Sequence, residues 1–158
     1  MKSSSRLLLL LSSMAMAVSA QAASITVYAH GAKKLFAVSV DSQQIGKSVG
    51  VASIAVFAQA ANFGKLTFVG NSHSVQEINS IKPKMVSVSS IEQKAYGWCF
   101  AVNGTVINQA ADTVMISAKN EIIWFYGYVE QKHGVWKMGC VADPATAVVL
   151  AHSKHTGH

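Results

Sequence analysis

The chain has 158 residues and carries 13 Lys and Arg against seven Asp and Glu, a formal net charge of +6. Its basic residues are scattered rather than gathered into one stripe, which argues against a nucleic-acid-binding protein. No pair of carboxylates has a spacing typical of joint catalysis, and there is no phosphate loop, G-x-S-x-G or H-E-x-x-H motif. We therefore do not expect an enzyme.

The N-terminus has the three parts of a bacterial signal peptide. Lys2 and Arg6 supply positive charge, residues 7–18 are largely apolar, and the small residues of Ala20-Gln21-Ala22 follow. The apolar run is shorter than the about 20 residues that a membrane-spanning helix needs. We predict that residues 1–22 are cleaved, and that the mature protein is periplasmic or secreted without a stable membrane span.

The first half of the mature chain predicts a hairpin followed by a helix. Residues 25–30 and 35–40 have the composition of strands and are separated by a short turn-like segment. The mostly apolar segment 46–62 is long enough for a helix, with Ser48 as its N-cap and Gly64 as its stop. Because its apolar faces are wide, we expect this helix to pack against a sheet.

The second half predicts a series of strands and one more helix. The strand candidates are residues 65–69, 75–81, 85–91, 96–102, 113–117, 121–129 and 135–141. Asp143-Pro144 is typical of a helix start, so we expect a short C-terminal helix to about Ala151. This order favours an α+β domain with a mixed or antiparallel sheet. We assign it to residues 23–141, followed by the C-terminal helix and a His-containing tail over residues 142–158.

The most distinctive run is Tyr-Gly-Trp-Cys-Phe-Ala-Val-Asn-Gly at residues 96–104. It resembles the G-W-x-(aromatic)-x-V-N-G core of the transcobalamin-like C-terminal domain family, a group of mostly uncharacterised exported bacterial domains. Segments 110–116 and 120–128 are similar to the strands that follow in that family, whereas Lys82-Pro83 departs from its pattern. The resemblance covers about residues 25–129. It implies a β-grasp-like fold, a mixed sheet packed on one principal helix.

Four aromatic residues, Trp98, Trp124, Tyr126 and Tyr128, are candidate ligand-binding residues. Alternate residues of a strand share a face, so the last three lie on one side of their strand. An aromatic cluster with polar tips suits a flat or partly apolar ligand. The related domain of transcobalamin closes over cobalamin, so the resemblance implies a cobalamin-like ligand, although the cofactor remains unknown. The alternative is that these rings are core. We expect Tyr126 and Tyr128 to be the ones nearest solvent.

Cys99 and Cys140 are the two cysteines. An even pair in an oxidising compartment predicts a disulfide, and the alternative is two separately buried thiols. The absence of a C-x-x-C motif argues against a thiol oxidoreductase.

His152, His155 and His158 recur at a three-residue spacing and are candidate ligands for zinc or copper, with a solvated tail as the alternative. The leading hypothesis from the sequence is an exported, non-catalytic binding module for a small, partly apolar ligand. The alternatives are a periplasmic or surface protein–protein interaction module, whose partner would be an envelope protein, and metal handling through the histidines.

Overall fold

The structure is a computed structural model that describes residues 22–156. Nearly all of the predicted signal peptide lies outside these residues. The strands are β1 Ser24–Ala29, β2 Lys33–Ser39, β3 Phe68–Gly70, β4 Val75–Ile78, β5 Lys84–Ser87, β6 Glu92–Val102, β7 Thr105–Val106, β8 Glu121–Lys132 and β9 Val135–Trp136, and the helices are α1 Val49–Asn62 and α2 Pro144–Thr156. The predicted α+β class is confirmed.

The strands form one large mixed sheet and one small sheet. The large sheet has the order β2-β1-β8-β6-β5, with β7 added to β6 and β9 added to β8, and β3 pairs with β4 in the small sheet. The central pair β1 and β8 is parallel, and every other pair is antiparallel. Parallel neighbours need a long connection, and the chain supplies it by passing through α1. A hairpin, a crossover helix and a parallel central strand make the arrangement β-grasp-like.

Helix α1 begins and ends at the residues that the sequence predicts. The Ser48 hydroxyl accepts a 3.3 Å hydrogen bond from the amide of Val51 and so caps the first turn. Gly64, with φ +66°, follows the last turn. The buried side of α1 packs on the sheet face that carries Ile25 and Trp124. The main core therefore lies between α1 and this face, which we call the α1 face.

A smaller core lies on the opposite side of the sheet, which we call the α2 face. There Leu150 of α2 packs with Ala101, Ile123 and Phe125. Asp143 caps α2, since its carboxylate accepts bonds from the backbone amide and hydroxyl of Thr146. Within residues 22–156, no helix has the length and apolar character to cross a membrane.

The predicted strand at residues 113–117 is wrong. A 3-10 turn occupies Ala111–Thr113, and only an isolated bridge joins Met115 to Ser48. Val114 and Ile116 do point towards the core, which explains the alternation in the sequence. Their backbone groups, however, bond to the segment that leads into α1 rather than to a strand.

Several other boundaries differ from the predictions, among them the strands predicted at 65–69, 75–81 and 85–91, which are the shorter β3, β4 and β5. Strand β6 begins at Glu92, earlier than expected, and α2 continues to Thr156. The predicted strand 135–141 shrinks to β9 and one bridge from Val141 to Tyr128, because the chain leaves the ladder between them.

Candidate ligand-binding site

One edge of β6 is left without a neighbouring strand over residues 97–100. On its inner side β6 pairs with β8 along its whole length. On its outer side β5 covers Gln93–Tyr96 and β7 covers Ala101–Val102. Ile107, just after β7, also bonds to the carbonyl of Phe100, so the stretch without any neighbour is residues 97–99, roughly 10 Å at the usual rise of a strand.

The backbone of Trp98 points towards this opening. The carbonyl oxygen of Phe100 accepts a 3.0 Å hydrogen bond from the amide of Ile107, so the backbone groups of Phe100 face the outer edge. Backbone groups alternate in direction along an antiparallel strand, so those of Trp98, two residues earlier, face the same edge. Within residues 22–156, no hydrogen bond joins the N–H or C=O of Trp98 to another segment.

The segment before β5 would cover Trp98 if the strand continued, but it turns onto the α1 face instead. Pro83 stands just before β5 and has no N–H to add to a ladder. The carbonyl of Ile81 accepts a 3.0 Å bond from the indole nitrogen of Trp98, and that of Lys82 accepts a 2.7 Å bond from the Tyr126 hydroxyl. Two aromatic side chains thus bind this segment over the α1 face and leave the sheet edge open.

A mostly apolar cleft of about 520 Å³ lies along the open edge. We call it the β6 cleft. Its lining consists of residues 73–75, 98–100, 107–111, Trp124, Val129 and 136–140. These residues come from both faces of the sheet, so the cleft passes around the edge of β6. Its size falls within the range of small-molecule binding sites.

Hydrogen bonds fix the loop of residues 107–111 on both sides of the sheet edge. The amide of Ala111 donates to the carbonyl of His73 at 3.2 Å. The side-chain oxygen of Asn108 accepts from the amide of Cys140, also at 3.2 Å. This wall of the cleft is therefore connected both to the loop before β4 and to the loop after β9.

The predicted disulfide between Cys99 and Cys140 is present. It joins the loop of residues 136–140 to β6 beside the open edge, and both sulfur-bearing residues line the cleft. The bond therefore builds one wall of the cleft, a role that the sequence did not indicate.

A glycine of β6 and its cross-strand partner in β8 differ in the space around them. A Cβ added at Gly127 would lie 2.7 Å from the Cys140 sulfur, so the disulfide excludes a side chain there. A Cβ added at Gly97, its cross-strand partner, would meet nothing within 4 Å. Gly97 faces the same side as Cys99. A glycine inside a strand often accompanies the close approach of a ligand or another backbone, and here the open space lies on the face of β6 that carries Cys99, a lining residue of the cleft.

The four predicted ligand-binding aromatics share the α1 face, as expected for the three on β8, but they do not form one exposed cluster. Trp98 is half-buried and lines the cleft. Trp124 is 2% exposed and reaches the cleft only from inside the core, where its indole nitrogen donates a 2.8 Å bond to the Ser53 hydroxyl. Tyr126 and Tyr128 are not among the lining residues.

The expectation that Tyr126 reaches solvent is wrong. It is 5% exposed, because Trp98 packs edge-on against its ring and the 79–83 segment covers its hydroxyl. Burial, and secondarily the neighbouring Tyr96, raise the pKa of Tyr126 above its ordinary value. Tyr128 is half-buried, and its ring is 5.4 Å from that of Tyr96, which in turn stacks on Tyr126 at 6.0 Å.

Two lysines lie over this tyrosine pair. The Lys94 ammonium is 4.4 Å from the centre of the Tyr128 ring, and that of Lys84 is 5.2 Å from the centre of the Tyr96 ring. Among the residues that the structure describes, neither Lys84 nor Lys94 forms an ion pair. Neither lysine is among the lining residues of the cleft, but Lys84 begins β5, so positive charge stands beside the β5 end of the open edge.

His73 lines the cleft but is not among the candidate residues that the sequence indicates. Its Nδ1 lies 3.1 Å from a carboxylate oxygen of Asp112, which is 39 positions away in the chain. Both residues are in loops, and only the fold brings them together.

The histidine tail remains a prediction. The Nδ1 of His152 is bonded to the carbonyl of Val148 at 2.8 Å. The side chain of His155 and the whole of His158 lie outside what the structure describes. Among the described residues, no group of three or more His, Cys, Asp or Glu side chains is arranged to hold a metal ion.

The comparisons with known proteins give one match. Residues 64–127 match a family described as a domain of unknown function (DUF4430). No curated protein matches the chain, and no solved structure does. The matched segment runs from β3 into β8 and contains the open edge of β6 and the 107–111 wall. It does not include α1 or the loop that Cys140 anchors.

Proposed function

We propose that this protein is an exported, non-catalytic binding module that holds a small, partly apolar ligand in the β6 cleft. The observation that carries the proposal is the construction of the cleft. A mostly apolar space lies along the stretch where β6 lacks a neighbour, and the disulfide and the bonds of Asn108 and Ala111 fix its walls. A site that is already formed costs less ordering free energy when a ligand binds.

Export is supported by the N-terminal pattern and by the disulfide, which persists in oxidising compartments. The start of the fold agrees with the predicted cleavage point. Ala23 is fully buried, and its carbonyl accepts a 2.7 Å bond from the amide of Val40. A cut after Ala20 or Ala22 would leave this contact intact.

The class of ligand is inferred from the proportion of apolar and polar groups that line the cleft. Apolar and aromatic side chains predominate, while the Trp98 backbone and the His73 side chain supply polar groups at the opening. The resemblance to the transcobalamin-like family adds a cobalamin-like molecule as a specific candidate. Of the four aromatics, Trp98 keeps a direct role in this proposal, and Trp124 supports the cleft from below.

Chemical-shift mapping tests the proposal. The full chain, expressed in a bacterial host and purified from the exported fraction, is labelled with nitrogen-15. It is titrated with cyanocobalamin and with a set of several hundred aromatic and aliphatic fragments. We expect at least some fragments to shift the amide signals of residues 98–100, 107–111 and 136–140 together. If no probe binds, or if the shifts map to another surface, the proposal fails.

A further inference from the structure

We infer that the β6 cleft takes an extended segment of another polypeptide, which adds to the sheet as a short strand against Trp98. This inference rests on the proposed function for the site, the β6 cleft, and goes beyond it in the occupant, which is a polypeptide segment rather than a small molecule. The segment is apolar where it faces Trp98 and acidic towards the β5 end.

A pair of backbone groups at the opening favours a peptide as the ligand. Trp98 presents one N–H and one C=O to the cleft, and within residues 22–156 neither is bonded to another segment. An unpaired sheet edge is a template for another chain. An extended peptide offers a donor and an acceptor at the spacing of a ladder, and this is the basis of strand addition as a recognition mode.

The length and shape of the opening also suit an extended peptide. The opening ends at Lys84, which pairs with Tyr96, and at Ile107, whose amide donates to the carbonyl of Phe100. It is thus about the length of three extended residues. Successive side chains of a strand point to opposite faces of a sheet. The cleft has lining residues on both faces, so it accommodates a side chain on each side of β6.

Positive charge at one end of the opening favours a peptide with an acidic residue there. At the β5 end of the opening, Lys84 and Lys94 lie over tyrosine rings and, among the described residues, have no acidic partner. After removal of Lys2 and Arg6 with the signal peptide, the chain would have 11 basic and seven acidic residues, a net charge of +4 (11 − 7). An acidic residue near Lys84 would find a charge that the protein itself leaves uncompensated.

The test uses random seven-residue peptides displayed on phage and selected on the full chain purified from the exported fraction. We expect enrichment of sequences that combine apolar residues at alternate positions with Asp or Glu at one end. The best sequence is then synthesised with a single N-methyl group at each position in turn. Methylation opposite Trp98 removes the donated hydrogen bond, so we expect about a tenfold loss of affinity there and little change at adjacent positions, whose amides point away.

A charge variant gives an independent readout. Lys84→Gln combined with Lys94→Gln should weaken the selected peptide several-fold and reduce the salt dependence of its binding. The matched control Lys65→Gln, in the loop after α1, should leave both unchanged.

The outcomes separate this inference from the proposed function. Fragments that bind the cleft, together with no peptide enrichment or with equal effects of methylation at every position, would overturn the peptide and keep a small-molecule site. Failure of both fragments and peptides to bind would overturn both.

Discussion

The indole nitrogen of Trp98 donates a 3.0 Å hydrogen bond to the carbonyl of Ile81, and this contact places the side chain and the backbone of Trp98 at different surfaces. Its side chain holds the 79–83 segment over the α1 face. Its backbone, at the sheet edge that this segment has left, faces the β6 cleft. The Trp98 side chain therefore helps to cover the α1 face, while the Trp98 backbone remains accessible at the open edge of β6.

Trp98→Phe should test that contact. The phenyl ring keeps most of the packing against Tyr126 but cannot donate to Ile81. We expect the free energy of unfolding to fall by about 1 kcal/mol, the usual net value of one such bond, and amide exchange to accelerate in residues 79–83. Denaturant unfolding and hydrogen exchange measure the two effects. Trp136→Phe, at an exposed ring, is the control. Equal changes in both variants would contradict the account.

The buried bond between Trp124 and Ser53 predicts strong coupling between two positions far apart in the chain. Ser53→Ala leaves the indole N–H without its 2.8 Å acceptor, and we expect a loss of roughly 1–3 kcal/mol in unfolding free energy. Adding Trp124→Phe removes the unpaired donor, so the double variant should lose less than the sum of the single variants. A denaturant-based double-mutant cycle measures the difference. Additive losses would show that the bond contributes little.

The glycines of β6 and β8 provide a matched pair. Gly97→Ala adds a methyl group to open space, so we expect unchanged stability or a gain of about 0.5 kcal/mol from the less flexible unfolded chain. Gly127→Ala forces a methyl group against the Cys140 sulfur and should cost roughly 1–3 kcal/mol. Denaturant unfolding compares them. If Gly97→Ala proves the more damaging, the space beside it is not open in solution.

Loss of the disulfide should destabilise the protein and loosen the cleft. The Cys99–Cys140 bond closes a loop with a sequence separation of 41. Replacing both cysteines by Ala should lower the unfolding free energy by about 2–4 kcal/mol. It should also weaken fragment binding, since residues 136–140 lose their attachment to β6. Calorimetry and fragment titration measure the two effects. If the folded double variant binds fragments as well as the natural protein does, the disulfide is not needed for the binding site.

Asp143 predicts a pH-dependent contribution to the stability of α2. Burial would raise the pKa of this carboxyl, but the bonds from Thr146 and Gly31 and the nearby His30 outweigh it, so the pKa lies below its ordinary value of 3.8. The folded state thus favours the ionised form. The resulting stability is present above about pH 4 and is lost as the pH falls through the lower, folded-state pKa.

The corresponding variant is Asp143→Ala. We expect it to cost about 1 kcal/mol near pH 7, the usual value of an N-cap, and clearly less near pH 2. Thermal unfolding at both pH values measures this, with Asp143→Asn, which keeps a capping acceptor but carries no charge, as the control. A cost that is the same at both pH values would mean that the charge of Asp143 does not matter.

The local elements of the fold were predictable because their signals are local. Helix α1 is a long apolar segment between a capping Ser48 and Gly64. The tight turn at Asn103-Gly104 has positive φ at both residues, as that dipeptide favours. The failure at residues 113–117 has the opposite cause. Their alternation reflects burial against α1, while the strand-like bonds that the pattern implies go to another segment.

The cleft was only partly predictable. Trp98 and the cysteine pair were singled out from the sequence, and Pro83 marked a break in the strand pattern. The open edge itself depends on where β5 and β7 end against β6, and the start of β5 follows from side-chain bonds to Ile81 and Lys82. The exposure of Tyr126 could not be read from its residue type, since a tyrosine is as suited to a buried carbonyl as to water.

The measurement that tests the central claim most directly follows the backbone amide signals of residues 97–100. The full chain is titrated with the fragment set and with the selected peptide. The account predicts that the Trp98 amide exchanges quickly with solvent in the free protein. It predicts that bound ligands shift the signals of residues 97–100 together with those of the 107–111 loop, and that the peptide protects the Trp98 amide. A Trp98 amide that is already protected in the free protein, or ligand-induced shifts confined to another surface, would contradict the claim that the open edge of β6 is the binding site.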